Sequence, residues 1–175
     1  MALGVPAPMG DIGPALINWD PDGANLNLYP TFGIISVKQE LTHAEVFEDG
    51  HGDCPVDSVD KGRVVTVEVD FTRLTLANLG AVTPGSVAGG TNLTIPNKAG
   101  NAYYASAKEI VIKPLLDDAE NPDTSTWWHF FKAYPFDVFE VGYDKEGQRI
   151  FHVLFVIYPD DASGNVGELS RIGAA

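Results

Sequence analysis

The chain has 175 residues, and its 24 acidic side chains against 11 basic ones give a net charge of −13. This length favours a single domain with a substantial core, and the lone Cys54 excludes a disulfide framework within the chain. The acidic charge argues against a nucleic-acid-binding protein, because affinity for phosphate depends on clustered Lys and Arg, but it is compatible with a protein that nucleic acid passes without binding.

The first predicted elements are an arm, a short strand and a turn. Met1–Pro14 is rich in Gly and Pro and predicts an extended arm. It lacks the basic and apolar parts of a signal peptide, and no stretch of the chain has the length of a membrane span, so we expect synthesis in the cytoplasm. Ala15–Trp19 is a short apolar run that ends at a turn over residues 20–23. Phe32–Leu41 predicts an extended stretch, and apolar and polar residues alternate along it from Ile35 onward.

A long acidic segment separates this stretch from the best-patterned strand of the chain. Along Arg63–Thr72, apolar residues alternate with polar ones, which is typical of a strand with one buried and one solvated face. Residues 42–62, which lie between the two, are far longer than the loop of an ordinary hairpin. We interpret them as an arm that contacts something other than its own domain.

The middle of the chain predicts one helix, a loop and a strand. The leucine spacing over Leu74–Val82 predicts a short helix, which Gly80 or the following Pro84 ends. The loop after it is rich in Gly, Asn and Thr and contains at most a strand fragment at Leu93–Ile95. Ala105–Leu115 is predicted to be a strand that mixes charged and β-branched residues.

The last part of the chain predicts a helical turn followed by a hairpin. An acidic loop precedes Thr124 and Ser125, either of which is a suitable cap for a helical turn through residues 127–134. Phe136–Tyr143 and Arg149–Tyr158 flank a short turn that ends in Gly, and they predict a β-hairpin.

The final strand of this hairpin, FHVLFVIY over residues 151–158, has apolar residues at both its even and its odd positions. We therefore expect it to be buried on both faces, either in the middle of a sandwich or at a subunit interface. Taken together, these elements predict an all-β fold, a mainly antiparallel sandwich or barrel with one or two short helices.

Metal and thiol chemistry are the first possibilities to consider in the acidic segment. His43, His51, Asp53 and Cys54 are metal-ligand types, but a zinc site normally has four converging ligands that include a tight pair such as C-x-x-C. A charged loop that happens to contain them is favoured. An activated cysteine nucleophile needs a positioned histidine and an electropositive setting, and the acidic surroundings of Cys54 exclude that role.

Two other groups have a functional and a structural interpretation. The carboxylates at residues 117, 118, 120 and 123 include neighbours that could form a catalytic pair, but they lie on a polar loop, where such groups are normally solvated. The aromatic group at residues 127, 128, 130 and 131 has the composition of a sugar-stacking platform, but large aromatic residues beside a strand more often belong to the core or to an interface. No catalytic or phosphate-binding motif is present, so we predict no catalytic, metal or cofactor site and no enzyme.

Two segments carry a resemblance to a known family. PVDSVDKGRVVTVEVDFTRLTLANLGAV (55–82) and WWHFFKAYPFDVFEVGYDKEGQRIFHVLFVIYPD (127–160) resemble the strand-to-helix segment and the closing hairpin of the major tail tube proteins of long-tailed bacteriophages. The resemblance implies hexameric rings whose inner sheets join into a lumen barrel. It further implies that the rings stack into a virion tail tube, without cofactors, and that double-stranded DNA passes through the tube without specific binding. Tape measure, tail terminator and baseplate proteins would be its partners.

The resemblance also implies roles for particular segments of this single domain. Residues 42–62 would be a long loop that connects stacked rings, and Met1–Pro14 and Gly164–Ala175 would be extended arms. The loop residues singled out for this contact are His43, Glu45, Phe47, Glu48, Asp49, Asp53, Val56 and Asp57. The candidates for a lumen face are Lys38, Glu40, Glu68 and Asp70, although the sequence leaves open whether they face the bore or the outside.

Two other classes of protein remain open at this point. One is another β-rich virion or secretion-tube component, such as a tail terminator, a head decoration protein or the ring protein of type VI secretion. The other is a soluble carbohydrate-binding module that uses the aromatic group at residues 127–131. Ring or tube formation distinguishes the first group from the second.

Overall fold

In a computed structural model, the protein is described over residues 15–28, 35–51, 53–71, 75–95, 97, 100, 102–116, 119–137, 150–161 and 168–173. The strands in chain order are β1 (Ala15–Trp19), β2 (Leu26–Leu28), β3 (Ser36–Val46), β4 (Asp57–Phe71), β5 (Val87–Gly89), β6 (Asn92–Thr94), β7 (Lys108–Leu116), β8 (Ala119–Glu120), β9 (Trp128–Asp137), β10 (Phe151–Tyr158) and β11 (Ser170–Ile172). The helices are α1 (Leu76–Val82) and α2 (Tyr103–Ser106), and 3-10 turns cover Asp49–His51 and Thr124–Thr126.

Most of the described strands belong to one antiparallel sheet. Its order is β2-β1-β7-β9-β10-β4-β3, with β8 paired to β7 and β11 paired to β9. The strands β5 and β6 form a separate small hairpin. The prediction of a mainly antiparallel all-β protein with one or two short helices is therefore confirmed.

One face of the sheet holds the hydrophobic core. Alternate residues of β4 and β10 pair across the strands, as Val67 does with Phe155, and point into this core. The rings of Trp19 on β1 and Phe155 on β10 lie 5.6 Å apart. Two strands separate β1 from β10, which corresponds to about 14 Å in a flat sheet. The sheet therefore curves around its core.

The predicted helix is present as α1. The Oγ1 atom of Thr75 accepts a hydrogen bond from the backbone N–H of Asn78 at 3.2 Å, which caps the first turn. The helix buries Val82 and packs Leu79 against the core. It ends at Val82 because Pro84, which lacks an N–H, cannot continue it.

The helical turn predicted over residues 127–134 is wrong. The chain forms only a 3-10 turn at Thr124–Thr126, which Asp123 caps by accepting the N–H of Ser125 at 3.0 Å, and it then enters β9. This strand lies between β7 and β10, so both edges of its backbone find hydrogen-bond partners. Its aromatic side chains also favour a strand. Tertiary pairing therefore overrides the local cap signal.

The loop predicted over residues 42–62 is also mostly strand. The pairing of β3 with β4 extends from the pair Ser36–Glu68 to the pair Val46–Asp57. It contains one register shift, between Thr42 and His43. The loop itself spans only residues 47–56, and the N–H of Val56 donates to the carbonyl of Val46 at 2.9 Å across its base. Antiparallel pairing satisfies backbone groups that a loop would leave to water.

The prediction that the last strand is buried on both faces is wrong for the single chain. Val153, Phe155 and Ile157 of β10 are buried, whereas Leu154 and Val156 on the other face are only half-buried. The chain itself therefore covers one face of β10 completely and the other in part. Burial of the second face at a subunit interface remains a prediction.

Several boundaries differ from the prediction. The strand expected from Ala105 begins at Lys108, because residues 103–106 form α2, and the predicted strand fragment is Asn92–Thr94. The predicted C-terminal arm is paired in part, since Ser170–Ile172 forms β11 against β9. The predicted arm Met1–Pro14, the turn of the closing hairpin and residues 138–143 of its first strand lie outside the described residues.

Candidate assembly surfaces

The outer half of the β3–β4 hairpin projects beyond the core. Every residue of β4 from Asp57 to Val64 is exposed, and burial begins abruptly at Val65. Eight residues of strand correspond to about 25 Å at 3.3 Å per residue. We call residues 42–62 the distal hairpin. A two-stranded ribbon of this kind has little core of its own and is stabilised when another surface covers it.

The distal hairpin contains all of the residues that the sequence predicted for contacts between rings. His43 and Glu45 lie on β3, Asp57 begins β4, and Phe47, Glu48, Asp49, Asp53 and Val56 lie on or beside the tip. Phe47 is 55% exposed. Sequence reasoning missed the apolar side chains Val46 and Val59, which are also exposed here. A search for apolar residues outside the alternating core pattern would have found them.

The charge of the distal hairpin is strongly negative. It carries Glu45, Glu48, Asp49, Asp53, Asp57 and Asp60 against the single base Lys61. Cys54 lies among these carboxylates and is exposed. Two such hairpins would repel each other at close range, because like charges raise the energy of approach.

The four predicted lumen residues lie on one face of the sheet, opposite the core. Pairing in register places Lys38 beside Thr66 on this face, and Glu68 and Asp70 follow at alternate positions of β4. Glu40 pairs with Val64, farther along the same face. The structure thus brings the predicted residues into one surface, which we call the polar face. Its exposure to a channel remains a prediction.

An ion pair and a histidine–carboxylate contact organise the polar face. Lys38 Nζ lies 2.7 Å from Glu68 Oε1, and His152 Nδ1 lies 2.7 Å from Asp70 Oδ1. The hydrogen bond from Lys38 holds the pKa of Glu68 below its ordinary value, and partial desolvation opposes this shift. The face therefore keeps Glu68 ionised but presents it already paired with a cation.

A second surface, which the sequence did not indicate, is aromatic. Tyr103 of α2 stacks on Tyr134 of β9 with ring centroids 4.4 Å apart, and it meets Phe136 edge-on at 6.0 Å. Tyr104 meets Tyr158 edge-on at 6.4 Å. We call these five residues the aromatic patch. They are distant in sequence, so only the packing of α2 on β9 and β10 reveals the group.

The tryptophan-rich segment at residues 127–131 does not form a flat exposed platform. Phe130 is fully buried in the core. The ring of Trp127 is occupied by Lys113, whose Nζ lies 4.1 Å from its centroid, and its indole N–H donates to the carbonyl of Asn121 at 3.0 Å. These contacts favour the structural interpretation of the segment over sugar stacking.

The described residues contain one buried histidine–carboxylate pair. His129 Nδ1 lies 2.8 Å from Glu109 Oε1, and the buried Nε2 atom of His129 has no hydrogen-bond partner among the described residues. Within the described part of the chain, no group of three or more His, Cys, Asp and Glu side chains could hold a metal ion. The same residues include no helix that is long and apolar enough to cross a membrane.

Comparison with known proteins adds no assignment. No protein-family model matches the chain, and no curated protein shows significant similarity to it.

Proposed function

We propose that this protein is a structural subunit that assembles with copies of itself into hexameric rings, and that these stack into the tail tube of a bacteriophage. The observation that carries the proposal is the distal hairpin, an exposed ribbon with apolar side chains that the chain itself leaves uncovered. Exposed apolar surface on a projecting element is typical of a protein–protein contact. In the proposal, the hairpin connects one ring to the next.

The edges of the sheet support closure into a ring. The long strand β3 ends the sheet on one side, and the short β2 ends it on the other. An edge strand presents unpaired N–H and C=O groups that a neighbouring chain can complete. In a ring, pairing between edges of adjacent subunits would continue the sheet around a central bore.

The polar face supports a role as a conduit. It carries Glu40, Glu68 and Asp70, and its one lysine is already paired with Glu68. A surface of this charge repels a duplex and offers few free cations to its phosphates. DNA would therefore move past it without being held.

Electron microscopy of the purified protein tests the assembly. We expect rings or tubes in negative stain at high concentration. A species that stays monomeric at high concentration and is retained on a glycan column would overturn the proposal in favour of a carbohydrate-binding module. Isolated rings that never stack would instead favour another virion component, such as a terminator.

A hairpin exchange tests the role of the distal hairpin. Thr42 pairs with Gly62, so replacing residues 43–61 by Asn-Gly closes the two strands with a favoured two-residue turn. The variant should remain folded, because the replaced side chains lie outside the core, and it should form no tubes. Loss of the folded state would show that the hairpin belongs to the core.

A double substitution on the polar face tests the conduit separately. Glu68→Gln with Asp70→Asn should leave tube formation intact and slow the ejection of DNA from virions built with the variant. Asp22→Asn with Glu120→Gln is the matched control, because it also removes two exposed carboxylate charges, on a turn and on β8. An unchanged ejection rate would remove Glu68 and Asp70 from the lumen.

A further inference from the structure

The pairing of β3 with β4 is irregular at the base of the distal hairpin. Thr42 of β3 pairs with Gly62, and the next residue, His43, pairs with Asp60. Lys61 is therefore an extra residue on β4, which is the arrangement of a β-bulge. The bulge lies just before the position at which burial of β4 begins. It separates the part of the sheet that covers the core from the part that projects.

The bulge changes the face to which the outer residues of β4 point. Side chains alternate along β3, so Ala44 points outward, as Lys38 does on the polar face. Ala44 pairs with Val59, and directly paired residues share a face, so Val59 also points outward. Without the extra residue, Val59 would continue the core-facing series of odd-numbered residues that begins at Val65.

The two faces of the hairpin beyond the bulge differ in composition as a result. The outward face carries Ala44, Val46, Asp57 and Val59, and the other face carries His43, Glu45, Ser58 and Asp60. Val46 and Val59 are both exposed. The bulge thus collects the apolar side chains of these strand ends on the outward face and leaves only polar side chains on the face that continues the core side.

The cross-strand pairs explain why the chain adopts this register. The observed register joins Ala44 to Val59 and leaves Glu45 opposite Ser58. A register without the bulge would place Ala44 opposite Asp60, and it would place Glu45 opposite Val59. Pairs of apolar side chains stabilise a sheet, whereas an apolar side chain opposite a carboxylate gains no such contact. The side chains of the hairpin therefore favour the bulged register.

The backbone at Gly62 permits that register. Its φ is +134°, a conformation that residues with a side chain rarely adopt. A Cβ atom at Gly62 would meet no atom within 4 Å among the described residues. The requirement for glycine here is therefore one of backbone conformation and not of space.

We propose that Gly62 sets the register of the distal hairpin, and that the bulge it permits directs the apolar side chains of the hairpin to the outward face. In the alternative register, Val59 points to the core side. The inference concerns the folded single chain. It rests on the proposed self-assembly only for one consequence, which is that a change of register impairs assembly.

Engineered disulfides in the unassembled protein report the register. In a Cys54→Ser background, Ala44→Cys is combined with Val59→Cys, and Glu45→Cys with Val59→Cys is the matched control. Direct partners in a sheet have Cα atoms about 4.5–5.5 Å apart, within the range of a disulfide, whereas side chains on opposite faces point apart. Under mild oxidation, the pair at 44 and 59 should form a disulfide about tenfold faster or more than the pair at 45 and 59.

Alanine substitutions test the role of Gly62. Gly62→Ala should slow the disulfide between positions 44 and 59 by about tenfold or more, as expected for a side chain at a positive φ. Gly50→Ala, in the 3-10 turn at the tip, should leave the rate unchanged, because Gly50 also has open space around it but lacks a positive φ. Deletion of Lys61 from Gly62→Ala removes the bulge and keeps the pairs beyond it, so it should restore the rate.

The outcomes separate this inference from the proposed function. An unchanged rate in Gly62→Ala, or a rate that deletion of Lys61 does not restore, would overturn the inference. The deletion variant decides the question even where Gly62→Ala alone fails to fold. In a protein that assembles, Gly62→Ala should raise the concentration needed for half-assembly by about tenfold. Disulfides that behave as expected in a protein that forms no rings or tubes would preserve the inference and overturn the tube.

Discussion

Two phenylalanine-to-alanine substitutions should have opposite effects on folding and on assembly. Phe47 lies at the tip of the distal hairpin and is 55% exposed, whereas Phe155 of β10 has no exposed surface and contacts Trp19. The chemical change is the same at both positions. Any difference between Phe47→Ala and Phe155→Ala therefore reports the surroundings of each ring.

The expected magnitudes differ by several kcal/mol. Truncation of a fully buried phenylalanine costs about 3–5 kcal/mol, which lowers the melting temperature of a domain of this size by roughly 6–20 °C. Phe47→Ala should change stability by no more than about 0.5 kcal/mol, as expected at an exposed site. At an interface, loss of an aromatic anchor costs about 2 kcal/mol or more. That corresponds to more than a tenfold increase in the concentration needed for half-assembly.

Calorimetry on the unassembled protein measures the first quantity, and sedimentation across a concentration series measures the second. Phe47→Ala should melt with the unaltered protein and fail to assemble at its threshold. Phe155→Ala should melt early and, after correction for the folded fraction, assemble near the normal threshold. A large loss of stability in Phe47→Ala would show that the tip folds onto its own core. An unchanged threshold would show that Phe47 contacts no neighbour.

Three further predictions concern local contacts. Lys38→Met should raise the pKa of Glu68 toward its ordinary value, because the hydrogen bond that lowers it is removed. NMR titration of the carboxyl carbon measures the pKa of Glu68 in the variant and in the unaltered protein. In the unaltered protein, any stability from this pair is present above the ordinary pKa and is lost as the pH falls through the lowered pKa. Burial, followed by the neighbouring tyrosines, raises the pKa of Tyr134, so Tyr103→Ala should lower that pKa in an ultraviolet titration, and no change would mean that Tyr103 does not cover it. Thr75→Ala should cost about 1 kcal/mol of stability by removing the cap of α1, whereas Thr75→Ser should cost little; equal losses in urea unfolding would contradict the capping role.

The parts of the fold that the sequence predicts well depend on neighbours in the chain. The alternation along β4 identifies its buried residues, because successive side chains of a strand point to opposite faces whatever lies beside it. The helix α1 is predictable for a similar reason, since its leucine spacing and the proline after it act within a few residues.

The wrong predictions concern elements whose structure depends on pairing with strands that are distant in the sequence. The aromatic run at residues 128–134 is compatible with a helical turn or a strand, and the pairing of β9 with β7 and β10 selects the strand. The length and charge of residues 42–62 predict a projecting arm, but the pairing within this arm depends on the register between β3 and β4. The local sequence of a segment does not determine that register.

The sequence by itself determined which residues of each strand face the core, because that pattern is local. Only the tertiary structure decided what the opposite face presents. It places Glu68 beside Leu154 and Val156 beside Tyr134, and it brings Tyr103 onto Tyr134 from a distant helix. These contacts join segments far apart in the chain, so their positions follow from strand order and register.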